Sequence, residues 1–129
     1  MSHRQVVTAP NAPEAGGPYS HAVKSNGLLF CSGQVPIDPS TGKLVEGSIG
    51  DMTRQCMENL TRVCEASGAQ LADAVRMAIY VTDISVFGEV NEAYGAFFAS
   101  DPPARTTIGV AALPLGAQVE IDAVVALPE

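Results

Sequence analysis

The chain has 129 residues, 47% of them hydrophobic and 16% charged, which is enough apolar surface for a core and excludes the disordered class. A formal charge of −7 and a pI near 4.6 work against nucleic acid or an anionic membrane surface, because seven scattered Lys and Arg cannot displace counterions along a phosphate backbone. No apolar run reaches the roughly 18 residues of a spanning helix, and the N-terminus lacks a signal-peptide core of about 7–15 apolar residues, so a cytoplasmic protein without a membrane or nucleic-acid partner is expected.

In chain order, His21-Ala22-Val23-Lys24 and Leu28-Leu29-Phe30-Cys31 flank Ser25-Asn26-Gly27. Asn-Gly between two short apolar stretches predicts a tight β-hairpin. Pro36, Pro39 and Gly42 then interrupt regular structure, so residues 36–47 read as loop or sheet edge. From Ser48 the period changes: Ile49, Met52, Cys56, Leu60, Val63 and Ser67 recur at steps of three and four, and Gly68 stands where a helix would stop.

Residues 75–82 are rich in β-branched and aromatic side chains and read as a strand. Phe87, Val90, Tyr94, Phe97 and Phe98 return to helical spacing, ended by Asp101-Pro102-Pro103. Residues 105–112 and 118–127 are β-like and are separated by a turn at Leu113-Pro114-Leu115-Gly116. The order is β-β-β-α-β-α-β-β with no linker, so a single domain over residues 1–129 is expected. Two helices can cover one face of such a sheet, yet residues 75–82 and 123–127 carry apolar side chains toward both, so the bare face is expected to meet another subunit.

Most local motifs carry no chemistry. Cys31, Cys56 and Cys64 form no C-x-x-C pair and read as buried, reduced thiols. His3 and His21 lack companions at metal-ligand spacing. Ser40-Thr41-Gly42-Lys43 lies in a turn rather than at a helix start, and Asn59-Leu60-Thr61 is a glycosylation sequon in form only, expected on a helix surface. Two charges stand out. Arg105 opens a strand after a rigid Pro-Pro-Ala segment, where a fixed guanidinium can grip a carboxylate with two hydrogen bonds. Glu120 lies between Val119 and Ile121, facing away from both.

Asn11-Ala12-Pro13, Gly17-Pro18-Tyr19-Ser20, Ser32-Gly33-Gln34-Val35-Pro36, Pro39-x-Thr41-Gly42, Val90-Asn91-x-x-Tyr94-x-x-Phe97-Phe98, Pro103-Ala104-Arg105-Thr106-Thr107, Leu113-Pro114 and Val119-Glu120-Ile121 follow one another in order along most of the chain. In these segments the sequence resembles the RidA (YjgF) family of reactive-intermediate deaminases. The resemblance implies an α+β, chorismate-mutase-like fold, a mixed sheet with two helices on one face, and a homotrimer whose sheets form a central barrel with active sites between subunits.

It further implies hydrolysis of 2-imino acids such as 2-iminobutanoate and 2-iminopropanoate to 2-oxo acids and ammonia, without a metal or organic cofactor. Arg105 would bind the substrate carboxylate and Glu120 would orient or activate water. Tyr19 would hydrogen-bond near the imine, and Asn91 would support the substrate end. Ser32 would belong to the substrate-binding set, with Gly33 and Thr107 contributing backbone groups. Some family members carry Cys where this chain has Thr107, so a thiol role would be lost here, and retention of Arg105 implies the deaminase branch. The competing expectations are a member that binds a small carboxylate or a protein without catalysis, and an endoribonuclease, for which a His pair and a basic groove are missing.

Overall fold

The computed structural model describes residues 3–129. Its main sheet holds six strands in the order β1-β2-β3-β8-β6-β7: β1 Arg4–Val7, β2 Ala22–Ser25, β3 Leu28–Gln34, β8 Val119–Ala126, β6 Ala74–Val81 and β7 Ala104–Gly109. All neighbours are antiparallel except β6 and β7, which run parallel and are joined through helix α2, Phe87–Gly95. A parallel pair needs such a crossover, whereas β2 and β3 need only the Asn26-Gly27 turn, where φ is 53° and 78°. The result is a mixed α+β sheet with two helices.

Helix α1, Ile49–Ala66, starts and stops where its sequence signals place it. Ser48 Oγ accepts from the Asp51 amide at 3.1 Å, and the Asp51 carboxylate accepts from the Ser48 amide at 3.2 Å, which closes a capping box. At the other end Gly68, with φ of 75°, donates to the Glu65 carbonyl while Ala69 donates to that of Cys64, a Schellman stop that needs the left-handed glycine. Cys56, Met57, Leu60, Val63 and Cys64 on α1 are buried against Leu29 of β3, Met77 and Ile79 of β6 and Val119, Ile121 and Val125 of β8. Burial pushes the Cys56 thiol well above its ordinary pKa, and Glu120 adds to the shift.

Several sequence expectations change in detail. Residues 36–47 contain a two-strand hairpin, β4 Ile37–Asp38 and β5 Lys43–Leu44, because Asp38 builds an Asx turn by accepting from the amide and hydroxyl of Ser40 at 2.9 and 2.7 Å. Helix α2 ends at Gly95 instead of reaching Phe98; Phe97 and Phe98 continue in 3-10 turns, bonding to the Tyr94 and Gly95 carbonyls. Asn59 is fully buried, not on a helix surface. Its Nδ2 donates to the Ile37 carbonyl at 2.9 Å and to that of Val35 at 3.4 Å, while its Oδ1 accepts from Gln55 at 3.0 Å. His21 is likewise a structural anchor, accepting from the Ala9 amide on Nδ1 at 3.1 Å with Nε2 2.8 Å from the Pro13 carbonyl.

The second face of the sheet has no helix over it. Register places Val6, Val23, Phe30 and Val124 in one cross-strand row on that face, with Phe30 and Val6 about half exposed at 46% and 50%. Ile108 and Tyr80 share it with Glu120 and Asp122. Among the described residues no helix is long and apolar enough to cross a membrane.

Candidate functional site

The first group gathers where β3 is irregular. The pairing of β3 with β8 shifts register between Cys31 and Gln34, so Ser32 and Gly33 bulge beside the start of β8. A β-carbon on Gly33 would collide with the Glu120 carboxylate, so the bare glycine lets that side chain lie across the strand. Glu120, Gly33, Ser32, Tyr19 and Glu14 line a cleft of about 500 Å³ together with the apolar Val35, Ile37, Pro114 and Leu115.

Tyr19 is anchored at its tip: its phenol oxygen accepts from the Gly16 amide at 3.0 Å, which leaves its own proton to donate elsewhere. Ser32 Oγ donates to the Ser20 carbonyl at 2.6 Å and so keeps only acceptor capacity. The pKa of Glu120 is raised above the ordinary carboxylate value, chiefly by burial and secondarily by Asp122 two residues on. Asp122 in turn accepts a 2.9 Å hydrogen bond from the Tyr80 hydroxyl. No lysine or arginine lines this cleft.

The second group lies on the helix-covered face. Arg105 stands in β7 beside Met77 of β6, which is buried, and its guanidinium carbon is 5.5 Å from the centre of the Phe87 ring and 4.9 Å from that of Tyr94. Phe87, Asn91 and Tyr94 fall at i, i+4 and i+7 of α2 and share one stripe. The aromatic faces hold the cation without neutralising it, and no carboxylate pairs with Arg105 among the described residues. Asn91 Oδ1, the Tyr94 hydroxyl and Thr107 Oγ1 are buried with no hydrogen-bond partner. Burial raises the Tyr94 pKa, and Arg105 pulls it back.

One chain thus brings Tyr19, Ser32, Gly33 and Glu120 together, and separately places Arg105, Asn91 and Thr107 near one another, but it does not unite the two sets. Glu120 points to the bare face and Arg105 to the covered one, with β6 between their strands. Sequence reasoning missed Phe87 and Tyr94 as partners of Arg105, since their helical spacing reads as core. It also missed the apolar part of the cleft lining, since Leu113-Pro114-Leu115-Gly116 reads only as a turn.

The chain matches the family described as Endoribonuclease L-PSP over residues 9–127. It is 40% identical over 121 residues to the 2-iminobutanoate/2-iminopropanoate deaminase of Mus musculus, a match covering 94% of this chain and 90% of that protein. It is 43% identical over 124 residues to the chloroplastic Reactive Intermediate Deaminase A of Arabidopsis thaliana, covering 96% of this chain and 66% of that one. Among solved structures, that of yeast YEO7 is similar with a TM-score of 0.94 at 43% identity, covering 97% of this chain and 99% of the other. With matches of this length and identity, the chain belongs to the YjgF/RidA family.

Proposed function

We propose that the protein is a deaminase that hydrolyses 2-imino acids, using sites assembled between the copies of a homotrimer. The observation that carries this reading is the pair of incomplete half-sites: a guanidinium without an anion on one face, and a cleft with a carboxylate but no cation on the other. A 2-imino acid carries a carboxylate beside an electrophilic carbon, so it needs both halves at once. A cyclic trimer, in which Arg105 of one copy approaches the Glu120 cleft of the next, supplies them. The apolar row at Val6, Val23, Phe30 and Val124 gives such an assembly something to bury.

The reaction balances without an external reactant other than water: R–C(=NH2+)–COO− and H2O give R–C(=O)–COO− and NH4+. Arg105 fixes the carboxylate through two parallel hydrogen bonds, and the Phe87 and Tyr94 rings keep its fork in one orientation. Glu120, in its ionised form, takes a proton from water as the water oxygen bonds to the imine carbon. It then returns that proton to the nitrogen; as the C–N bond breaks and ammonia leaves, Glu120 takes the hydroxyl proton, which closes the C=O bond, and passes it to ammonia to give NH4+. The raised pKa of Glu120 makes it a better base than an ordinary carboxylate. The Tyr19 hydroxyl donates toward the reacting centre, Asn91 offers its free oxygen at the substrate end, and Thr107 contributes backbone groups.

Release of 2-oxo acid from imine generated in place by an amino-acid oxidase tests the proposal. Wild type should accelerate release. Arg105→Ala should lose about 10²- to 10⁴-fold in kcat/KM, the equivalent of the roughly 3–5 kcal/mol lost when one partner of a buried ion pair is removed. Arg105→Lys should recover part of this, because an ammonium keeps the charge but not the fork. Equal rates in all three, with assembly verified, would overturn the reading. Binding of 2-oxo acid without acceleration by wild type would favour a carboxylate-binding member instead. An endoribonuclease is disfavoured by a cleft that presents Glu14 and Glu120 where a phosphate backbone needs cations.

A further inference from the structure

Leu115 is the most exposed large hydrophobic side chain among the described residues, at 73%, and its φ of 62° lies in the left-handed region that leucine rarely adopts. Within the chain, neither burial nor backbone preference accounts for a leucine there. The turn holds it in place, since Gly116 donates to the Leu113 carbonyl at 3.3 Å and Ala117 to that of Pro114 at 3.1 Å. So fixed, the side chain stands at the rim of the Glu120 cleft, next to Pro114.

Val35 and Ile37 line the same cleft, and they are also built in rather than loose. The buried Asn59 amide grips both of their carbonyls, the Ile37 amide bonds to the Val35 carbonyl at 2.7 Å, and Val45 closes on Pro36 at 2.9 Å. The cleft lining therefore combines the polar Tyr19, Ser32 and Glu120 with four apolar residues whose backbone is braced. Its two acidic residues, Glu14 and Glu120, meet no basic residue in its lining.

We infer that Val35, Ile37, Pro114 and Leu115 form a side-chain pocket that selects 2-imino acids bearing an apolar side chain of several carbons, with Leu115 as its specificity residue and acidic side chains refused. This rests on the deaminase reading. With the carboxylate on Arg105 and the imine carbon facing Glu120, the substrate side chain is left to the apolar part of the lining. A methyl group fills little of it, whereas an isobutyl group removes apolar surface of both partners from water. One methylene in such a pocket is worth about tenfold or more in discrimination. A second carboxylate would sit beside Glu14 and Glu120 with no cation to offset it.

The test compares imines generated from alanine, leucine and glutamate in wild type and Leu115→Asn. Asparagine tolerates the left-handed backbone and removes the apolar tip at an exposed position. Wild type should prefer the leucine imine over the alanine imine by more than about tenfold in kcat/KM. Turnover of the glutamate imine should be weakest. In Leu115→Asn the leucine-to-alanine ratio should fall to within about threefold of unity, with the oligomer mass unchanged. Dissociation constants for pyruvate and 4-methyl-2-oxopentanoate, measured by calorimetry, need no turnover and should show the same preference and the same loss.

Turnover of all three imines with a ratio near unity in wild type, or a ratio that the substitution leaves alone, overturns the pocket and leaves the deaminase standing. No turnover of any imine, with 4-methyl-2-oxopentanoate still bound preferentially and that preference lost in Leu115→Asn, overturns the deaminase and leaves the pocket as a ligand site. Loss of oligomer mass in Leu115→Asn with an unchanged ratio assigns the leucine to contacts between copies and overturns its role in specificity.

Discussion

Gly33 and Glu120 depend on each other: the carboxylate occupies space that any other residue at 33 would claim. Gly33→Ala should therefore fold, because Glu120 can swing away, yet lower kcat at least tenfold by moving the base out of reach of water. Circular dichroism and steady-state rates check the two halves of that expectation, and wild-type kcat would remove the contact from the mechanism. Titration gives an independent reading. Since burial and then Asp122 raise the Glu120 pKa, the acid limb of kcat/KM should lie above the ordinary carboxylate range and move down in Asp122→Asn. The folded carboxyl binds its proton more tightly than the unfolded one, so this group's favourable contribution to stability exists at low pH and is lost as pH rises through the folded value. Glu120→Gln should accordingly lose kcat while melting at or above wild-type Tm at neutral pH, and a lower Tm would contradict a burial penalty on the Glu120 carboxylate.

Residues of this kind were unevenly legible. Glu120 shows in sequence because it stands between Val119 and Ile121 and faces away from both, and Arg105 because a lone base follows two prolines. Their surroundings do not show. The bulge that brings Gly33 against Glu120 is a property of strand register, and the stacking of Arg105 on Phe87 and Tyr94 joins α2 to a strand through tertiary packing. The left-handed backbone of Leu115 has no local signature either, since Leu-Pro-Leu-Gly suits several turns.

Elements whose signals are local were placed well. The β2–β3 hairpin follows from Asn26-Gly27, and α1 from the change of period at Ser48, its apolar stripe and its terminal glycine. Gly27 has φ of 78° with open space around the missing side chain, so the cost of Gly27→Ala should be backbone strain alone. About 1–2 kcal/mol is expected from the left-handed penalty, read as a lower urea midpoint at constant m value. No change in midpoint would mean that the turn relaxes to another type. Elements held by distant partners were harder to read. Strand β1 has four residues, three of them exposed, and exists by pairing with β2, while β4 and β5 need the Asx turn and the Asn59 clamp from α1. Helix α2 stops early because Gly95 weakens its last turn, although Tyr94 and Phe98 still meet at 5.1 Å.

At the scale of the whole molecule the governing fact is that Arg105 and Glu120 project from opposite faces of one sheet. If catalysis needs both, as proposed, no single copy can be active, and the bare apolar row is the surface that the proposed trimer would bury. Phe30→Glu, which puts a charge in that row, should lower the oligomer mass in light scattering and abolish turnover together, although neither catalytic group is altered. A sharper prediction comes from mixing subunits. Arg105→Ala subunits keep Glu120, and Glu120→Gln subunits keep Arg105, so each homotrimer is inactive. When equal amounts are unfolded together and reassembled at random around a three-fold axis, a site is intact only where an Arg105 donor precedes a Glu120 donor. That order occurs at about one interface in four, so about a quarter of the wild-type kcat should return while KM stays at the wild-type value. A site built within one chain has no such route, because no chain in the mixture carries both groups. Failure to regain activity in verified mixed trimers would therefore place Arg105 and Glu120 in separate functions and remove the intersubunit site.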